Sequence, residues 1–396
     1  MPRNLITEID RTGSVGEIIA SNTVFVPIET KEKTEPILCK TLKELEDNFE
    51  DKLLEDAAVL EYELNLGYKL AKHLIRLGLP VLVQGFTDAL TANDWEALED
   101  KNNYDIRFLT TGAFEGSSAD DIDEKMVECA KNRGDCTALV GFNETYTDGE
   151  VVFSYEVTNI LALLQDSDLT KDNIDIGGYA AAFTPFFYTA DSDFTSDPET
   201  EVLLPAPFGY LFAYARSIRN NPEWFAVAGF ERGVIPELTR VKHKFSTAEV
   251  NALQNRADDS SDNVGRGVNA IAYIRPAGFV IYGNRTLKKN EGELTATSFI
   301  NVRNMVSLVK KVAFEAANRF TFEQNSDILW VNYKSYIEPT LDRITHGNGA
   351  LGYSINKLKT TARAKMQAEI IIQPIEAVED IELAVIMTDA NTVVSE

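Results

Sequence analysis

The sequence predicts an α/β protein with an isolated strand near each end. Two observations lead to this prediction: short apolar runs alternate with helical segments between residues 80 and 187, and apolar residues spaced two apart recur close to both termini. Alternation at this spacing is typical of βαβ units, so we expect a largely parallel sheet.

The alternation begins with PVLVQGF, a predicted strand at 80–86. The strands after it are YDIRFLTTG, CTALVGF and DIGGYAAAFTPFF, and the helices between them are TANDWEALED, DDIDEKMVECAKNRG and FSYEVTNILALLQ. Upstream of these, an apolar stripe predicts a helix over 53–77 that ends where glycine and proline follow.

A long amphipathic helix is predicted after Ser298, which is its expected N-cap. Its apolar positions recur three and four residues apart, at Val302, Val306, Val309 and Ala313. Basic side chains occupy the opposite face, namely Arg303, Lys310 and Lys311.

The terminal strands have no obvious partners. NTVFVPIET is separated from the next element by the charged linker TKEKTEP, and AEIIIQP and EDIELAVIM follow every other element. Their apolar residues are Val24, Val26 and Ile28 near the amino terminus and Ile370, Ile372, Ile381, Leu383 and Val385 near the carboxyl terminus. Since no hairpin turn adjoins EDIELAVIM, its partner strand must come from elsewhere.

Charge is unevenly distributed along the 396 residues. Residues 1–200 hold 16 basic and 40 acidic side chains, which accounts for the whole net charge of −24. Residues 201–365 sum to +7 and residues 366–396 to −7. An acidic first half disfavours nucleic-acid binding.

The apolar runs are too short to span a bilayer. The three cysteines form no CxxC motif, which indicates free thiols in a reducing compartment. We therefore expect a soluble, non-secreted protein.

Motifs of known chemistry are weak. Gly347, Gly349 and Gly352 have GxGxxG spacing, but they follow a helical segment instead of a strand, which favours a simple turn over a dinucleotide site. Asp191, Asp193 and Asp197 have the spacing of a calcium loop without its glycine or its final glutamate.

Catalytic motifs are absent from the sequence as well. It contains no GxSxG, HExxH or P-loop, and its three histidines, His73, His243 and His346, adjoin no nucleophile motif. We therefore expect no enzyme activity, no metal and no cofactor.

Residues 205–345 resemble the contractile tail sheath proteins of myophages, R-type bacteriocins and related injection systems. The resemblance rests on the order and spacing of PAPFGYLFAYAR, WFAVAGFERGVI, GVNAIAYIRPAGFVIYGNRTL, FINVRNMVSLVKKV and RFTFEQNSDILW. The chain departs from the family pattern at Asn304, where a second arginine is usual, and at Gln324, where proline is usual. Weaker similarity extends back through YDIRFLTTG and YAAAFTPFF.

The resemblance implies a fold and a division into domains. An N-terminal arm (1–30) precedes an outer acidic α/β domain (31–204) that resembles subtilisin without its catalytic triad. An inner, tube-facing α+β sheath domain (205–365) and a donated C-terminal arm (366–396) follow. Both arms would add strands to neighbouring subunits.

The resemblance also implies function, partners and site residues. The chain would form six-membered rings around a tail tube, would contact baseplate and terminator proteins, and would be assembled in the bacterial cytoplasm into a virion tail or similar particle. Candidate tube contacts are Lys310, Lys311, Arg319, Lys357 and Lys359. The family-motif residues are Gly283, Asn284, Arg285, Thr286, Asn301, Arg303, Phe322, Glu323 and Trp330. The alternatives are a hydrolase-like enzyme and another strand-swapping virion protein, such as a capsid component.

Overall fold

A computed structural model describes residues 22–53, 65–87, 90–111, 124–142, 145–147, 150–153, 155–166, 169–171, 174–195, 197, 199–254, 264–291, 294–359, 365–375 and 377. These residues include ten α-helices: α1 (Leu42–Phe49), α2 (Leu66–Arg76), α3 (Ala92–Ala97), α4 (Glu124–Arg133), α5 (Val157–Asp166), α6 (Ala206–Ser217), α7 (Gly229–Arg232), α8 (Thr247–Leu253), α9 (Ile300–Phe320) and α10 (Asp327–His346). None of these described helices is long and apolar enough to cross a membrane.

The described strands are β1 (Val24–Glu29), β2 (Ile37–Cys39), β3 (Val81–Phe86), β4 (Phe108–Leu109), β5 (Thr137–Gly141), β6 (Thr145–Thr147), β7 (Glu150–Phe153), β8 (Thr170–Lys171), β9 (Ile174–Asp175), β10 (Ala180–Thr184), β11 (Phe187–Thr189), β12 (Val202–Leu204), β13 (Leu238–Val241), β14 (Val264–Gly265), β15 (Asn269–Ile274), β16 (Gly278–Tyr282), β17 (Asn290–Glu291), β18 (Ala350–Leu358) and β19 (Gln367–Pro374).

The main sheet has eight strands in the order β16-β15-β10-β5-β4-β1-β3-β2. Its six inner strands, from β15 to β3, run parallel, and only the outermost pairings, β15 with β16 and β2 with β3, are antiparallel. The predicted βαβ alternation is therefore confirmed. Helices cover both faces: α1, α2 and α6 pack on one, and α3, α4, α5 and α8 pack on the other.

The assignment of Val24, Val26 and Ile28 to a donated arm is wrong. These residues belong to β1, which lies between β3 and β4 in the chain's own sheet. All three are fully buried, and Phe25 on the opposite face is buried as well. A strand that is apolar on both faces is typical of the centre of a parallel sheet, whereas a strand with one solvated face would show alternation.

The predicted domain boundary at 204/205 also differs from the packing. Strands β15 and β16 complete the sheet of the first domain, and α6 covers one of its faces with nearly every side chain buried. The second unit begins at α9 and contains α10, β18 and β19, whose own apolar core surrounds Trp224. A sheet can include strands from any part of the chain, so the predicted boundary at 204/205 does not coincide with the end of this sheet.

Two helices begin at residues other than the predicted ones. Phe299, not Ser298, is the N-cap of α9, because Ser298 ends a short 3-10 turn over Ala296–Ser298. The described part of the helix predicted over 53–77 is α2, which begins after its N-cap Asn65; residues 54–64 lie outside the described residues.

Candidate assembly surface

Exposed apolar side chains concentrate in the unit formed by α9, α10, β18 and β19. Six of the ten large hydrophobic side chains that are exposed among the described residues lie between positions 322 and 371: Phe322, Ile328, Val331, Leu351, Leu358 and Ile371. Single exposed apolar residues are ordinary, but a concentration of them is typical of an interaction surface.

Strands β18 and β19 form an antiparallel hairpin that stands apart from the main sheet. The register pairs Ile355 with Ile370 and Ser354 with Ile371. Ile355, Ile370 and Ile372 face the core formed with α9 and α10, whereas Ile371 is 52% exposed. Within the described residues neither outer edge of the hairpin is paired, so each presents free backbone N–H and C=O groups. Such an edge can accept a further strand.

The hairpin shortens the predicted C-terminal arm. Ile370 and Ile372 pair within their own chain, and the ladder extends to the hydrogen bond from Ile375 N to Gly349 O at 3.0 Å. The part of the arm available for donation therefore begins after residue 375. Ile381, Leu383 and Val385 lie outside the described residues.

The family-motif residues around 283–303 form the joint between the sheet and α9. Asn284 Nδ2 donates to Asn301 Oδ1 at 2.7 Å, and Asn301 Nδ2 donates to Trp224 O at 3.2 Å. The Arg285 guanidinium lies 4.8 Å from the centre of the Phe299 ring. Thr286 Oγ1 donates to Thr297 O at 2.8 Å. Gly283 is required here, because a Cβ at this position would lie 2.7 Å from Asn269 Oδ1.

Other motif residues lie at the far end of the helical pair. Phe322 occupies the turn between α9 and α10 with a φ of +73° and is fully exposed, and Glu323 beside it is exposed too. Trp330 is half-buried and stacks on Tyr333 with ring centres 6.2 Å apart. The family-motif residues therefore lie in two places: some form the contact between the sheet and α9, and others lie at the exposed turn between α9 and α10.

Helix α9 lies across the amino ends of the parallel strands. Arg303 is buried over Tyr179, directly before β10, with its guanidinium 4.2 Å from the ring centre. Lys311 pairs with Asp105, before β4, and its side chain is only 9% exposed. This burial removes Lys311 from the candidate tube contacts, since a buried ammonium cannot reach another protein.

The remaining tube-contact candidates are accessible to different degrees. Lys310 is exposed, with its ammonium 5.3 Å from the centre of the Tyr179 ring. Arg319 is exposed beside Tyr336, Lys357 pairs with Asp327 at 2.9 Å, and Lys359 is exposed at the end of β18. They do not form one patch: Lys310 lies at the sheet, and the others lie towards the far end of the second unit.

His73 lies in a buried charged cluster. Its Nδ1 is 2.7 Å from Asp193 Oδ2 and its Nε2 is 3.1 Å from Glu237 Oε1. The pKa of His73 is lowered to about 4, mainly by burial; Asp191 acts to raise it, and Arg216 and Arg76 act with burial to lower it. Both ring nitrogens face carboxylates, so neither can activate a nucleophile.

The same cluster holds the described residues that come nearest to a metal site. One ligand atom from each of His73, Asp191 and Asp193 lies within 4.8 Å of the others. However, Arg76 pairs with Asp193, and Arg216 pairs with Glu237 on the other side of the ring. A cation there would meet two guanidinium groups, so the cluster fits an internal ionic contact better than a metal centre.

The glycine motif ends a helix and packs against an indole. Gly347 is the C-cap of α10, and its carbonyl accepts a hydrogen bond of 2.8 Å from Trp224 Nε1. A Cβ at Gly347 or Gly349 would lie 2.7 Å from an atom of the Trp224 ring. Close packing on Trp224 therefore explains these two glycines, and the expectation of a simple turn agrees with the geometry.

Comparisons with known proteins bear on this surface. No family model matches the chain. The tail sheath protein of Vibrio phage KVP40 is 26% identical over 227 residues, which are 56% of this chain and 31% of that protein, so the chain spans about a third of the length of this curated relative. The contracted PVC sheath complex of an extracellular contractile injection system is 15% identical, with a TM-score of 0.62 over 93% of this chain and 92% of that one.

The contracted helical sheath of the anti-feeding prophage is 14% identical, with a TM-score of 0.61 over 92% of each chain. Its baseplate structure, symmetrised six-fold, also matches, with 14% identity and a TM-score of 0.58 over 93% of each chain. The curated relative is named a tail sheath protein, and two of these structures are contractile sheaths. The resemblance inferred from the sequence motifs is thereby confirmed, together with the mixed α/β fold.

Proposed function

We propose that the chain is the structural subunit of a contractile tail sheath. It polymerises into six-membered helical rings around a tail tube, and shortening of the sheath drives the tube through a target envelope. The observation that best supports this role is the β18–β19 hairpin. Neither of its edges pairs with another described strand, and exposed apolar side chains lie on the same unit, in a fold shared with sheath subunits.

In this proposal the hairpin accepts strands from neighbouring copies. The donor is the segment after residue 375, which carries Ile381, Leu383 and Val385 in alternation. Main-chain hydrogen bonds along the hairpin edge provide affinity. Lending a strand to an identical neighbour in a head-to-tail contact produces an open helical array. The donor is acidic and the accepting body is basic, but each exposed charge pair contributes only about 0.2–1 kcal/mol, so apolar burial must supply most of the adhesion.

The α/β domain carries no catalytic role in this proposal. It would have a subtilisin-like topology without a triad and would face outward, where its acidic surface keeps the assembly dispersed. The unit of α9, α10 and the hairpin would face the tube and present Lys310, Arg319, Lys357 or Lys359 to it. Baseplate and terminator proteins would bind the ends of the sheath, which is assembled in the host cytoplasm and carried on the virion tail or particle.

Electron microscopy of the purified protein tests the proposal. The full chain should form wide tubes of six-fold rings, and a chain ending at residue 375 should remain folded and monomeric. The matched control is Phe230→Asp, which changes an exposed apolar residue of α7, outside the hairpin sequence, and should still form tubes. Closed shells would favour a capsid component, and tube formation by the shortened chain would contradict strand donation.

The hydrolase alternative has a separate test. Substitution of His73, His243 or His346 by alanine would abolish ester or peptide hydrolysis if one of them were catalytic. We expect the unsubstituted chain to show no such turnover.

A further inference from the structure

Three basic side chains lie around Tyr179, in the turn that leads into β10. The Arg303 guanidinium lies 4.2 Å and the Lys310 ammonium 5.3 Å from the centre of the Tyr179 ring. Lys288 lies on the other side of the turn, since a Cβ on Gly178 would be 3.8 Å from the Lys288 Cβ and 3.1 Å from Arg303 Nη2. These cations come from the segment after β16 and from α9, so the tertiary structure brings them together.

Arg303 has no acidic partner in the described part of the chain. It is 5% exposed, and its Nε has no hydrogen-bond partner among the described residues. Burial lowers the pKa of Arg303, and the only group that acts against this effect is Tyr179. A buried guanidinium without a counter-charge is costly. Three other buried arginines pair with carboxylates: Arg107 with Glu223, Arg133 with Asp135, and Arg266 with Asp175.

The Tyr179 hydroxyl group accepts hydrogen bonds from two cations. Lys310 Nζ donates to Tyr179 Oη at 3.5 Å, and Arg303 donates to the same oxygen. A phenol oxygen that accepts from two donors still has its own hydrogen to donate, and within the described residues no acceptor receives it. Lys310 is exposed and Tyr179 is partly exposed, so this hydrogen can reach a ligand from solvent.

We propose that a phosphate-like oxyanion binds beside the Tyr179 hydroxyl group, where it accepts hydrogen bonds from this hydroxyl and from Lys310 and compensates the buried charge of Arg303. Oxyanions with several oxygen atoms bind well to clustered lysine and arginine donors. Lys288 adds a third positive charge, because its ammonium donates to two threonine hydroxyl groups instead of a carboxylate. Phosphate therefore fits this place better than a single carboxylate. The proposal does not depend on the sheath role.

Isothermal titration calorimetry of the full chain with inorganic phosphate, at an ionic strength held constant with chloride, tests the proposal. We expect one saturable site per chain. Lys310→Met removes one charged donor and should weaken phosphate binding at least about tenfold. The control Lys334→Met removes a lysine that pairs with Glu338 at 3.2 Å on α10 and should leave the affinity unchanged. Absence of saturable binding, equal losses in the two variants, or acetate binding as tightly as phosphate would overturn the proposal.

Tyrosinate absorbance shows whether the anion lies at Tyr179. Burial acts to raise the pKa of Tyr179, but Lys310 and Arg303 outweigh it and lower the pKa below its ordinary value of 10.0. Tyr179→Phe should therefore remove an early step from the pH titration in chloride. Saturating phosphate should move this step to higher pH, because the bound anion favours the protonated hydroxyl group that donates to it. Identical titration curves in phosphate and chloride would overturn the proposal. Tube formation in electron microscopy decides the sheath role separately.

Discussion

The buried ion pair between Arg107 and Glu223 should dominate the stability of the contact between α9 and the sheet. The Arg107 side chain is 1% exposed and that of Glu223 is 10% exposed. Arg107 Nη2 also donates to Asn304 O on α9 at 2.8 Å, so the pair joins the sheet, the segment before Trp224, and the helix. Removing one member leaves the other charge buried without compensation.

The magnitude follows from the distance and the surroundings. Arg107 Nη2 lies 2.5 Å from Glu223 Oε2, and opposite charges at this distance attract by about 7 kcal/mol at an effective dielectric constant of 20. Losing one partner of a buried pair costs about 3–5 kcal/mol. Glu223→Gln keeps the shape and one oxygen acceptor, so we expect a loss of about 3 kcal/mol in the free energy of unfolding. Replacing both partners, as in Arg107→Met/Glu223→Leu, should cost less than the single substitution because no charge remains buried.

Urea denaturation at pH 7, followed by tryptophan fluorescence, measures these losses. Glu338→Gln is the matched control, since Glu338 pairs with Lys334 at 3.2 Å on an exposed face of α10 and should cost less than about 0.5 kcal/mol. Added salt should weaken the exposed pair more than the buried one. A loss below about 0.5 kcal/mol for Glu223→Gln, or a double variant less stable than the single one, would refute the reasoning.

Three further predictions concern a helix cap, a core and a tight turn. Partial burial raises the pKa of Asp94, but hydrogen bonds from Lys33 and Thr91 outweigh this effect and lower the pKa below its ordinary value of 3.8. Asp94→Asn should therefore cost about 1 kcal/mol in unfolding experiments at pH 7. The difference in stability should vanish as the pH falls through the lowered pKa. Ile337→Ala removes a fully buried side chain between α10 and α9 and should cost about 2–5 kcal/mol in denaturant titrations, so a loss under about 1 kcal/mol would contradict the packing. Gly349→Ala places a Cβ 2.7 Å from Trp224 and should cost about 1–3 kcal/mol in thermal unfolding. In the control Gly352→Ala the added Cβ meets nothing within 4 Å, so the loss should be far smaller. Equal losses would exclude the Trp224 contact as the cause.

Local patterns predicted the elements well and their partners poorly. The strand at Val81–Phe86 and the helix at Ala92–Ala97 lie where the alternation placed them. The strand at Val24–Glu29 was also predicted, but its position in the middle of the sheet was not. Periodicity reports how a strand's faces are covered and carries no information on which strand lies beside it. The sign of a central strand that the sequence did contain was the apolar Phe25 between Val24 and Val26, and this side chain is buried on the second face of the sheet.

The candidate site shows the same division. Exposed basic residues on a helical face looked equivalent in the sequence, yet Lys311 is buried against Asp105 while Lys310 is exposed. Neighbouring positions on α9 differ because the amino ends of the strands cover one side of the helix. The cluster of His73 with Asp193 and Glu237 could not be predicted either, because Asp193 lies 120 residues and Glu237 lies 164 residues after His73 in the chain.

The amino-acid sequence by itself determined the α/β class, the positions of most strands and helices, the acidic first half and the resemblance to sheath proteins, because all of these depend on local periodicity, composition and motif order. Only the tertiary structure decided that β1 is internal, that Ile370 and Ile372 belong to a hairpin, and that no other described strand pairs with the edges of this hairpin. Strand pairing and burial depend on contacts between residues far apart in the chain, and such contacts leave no periodic trace in any one segment.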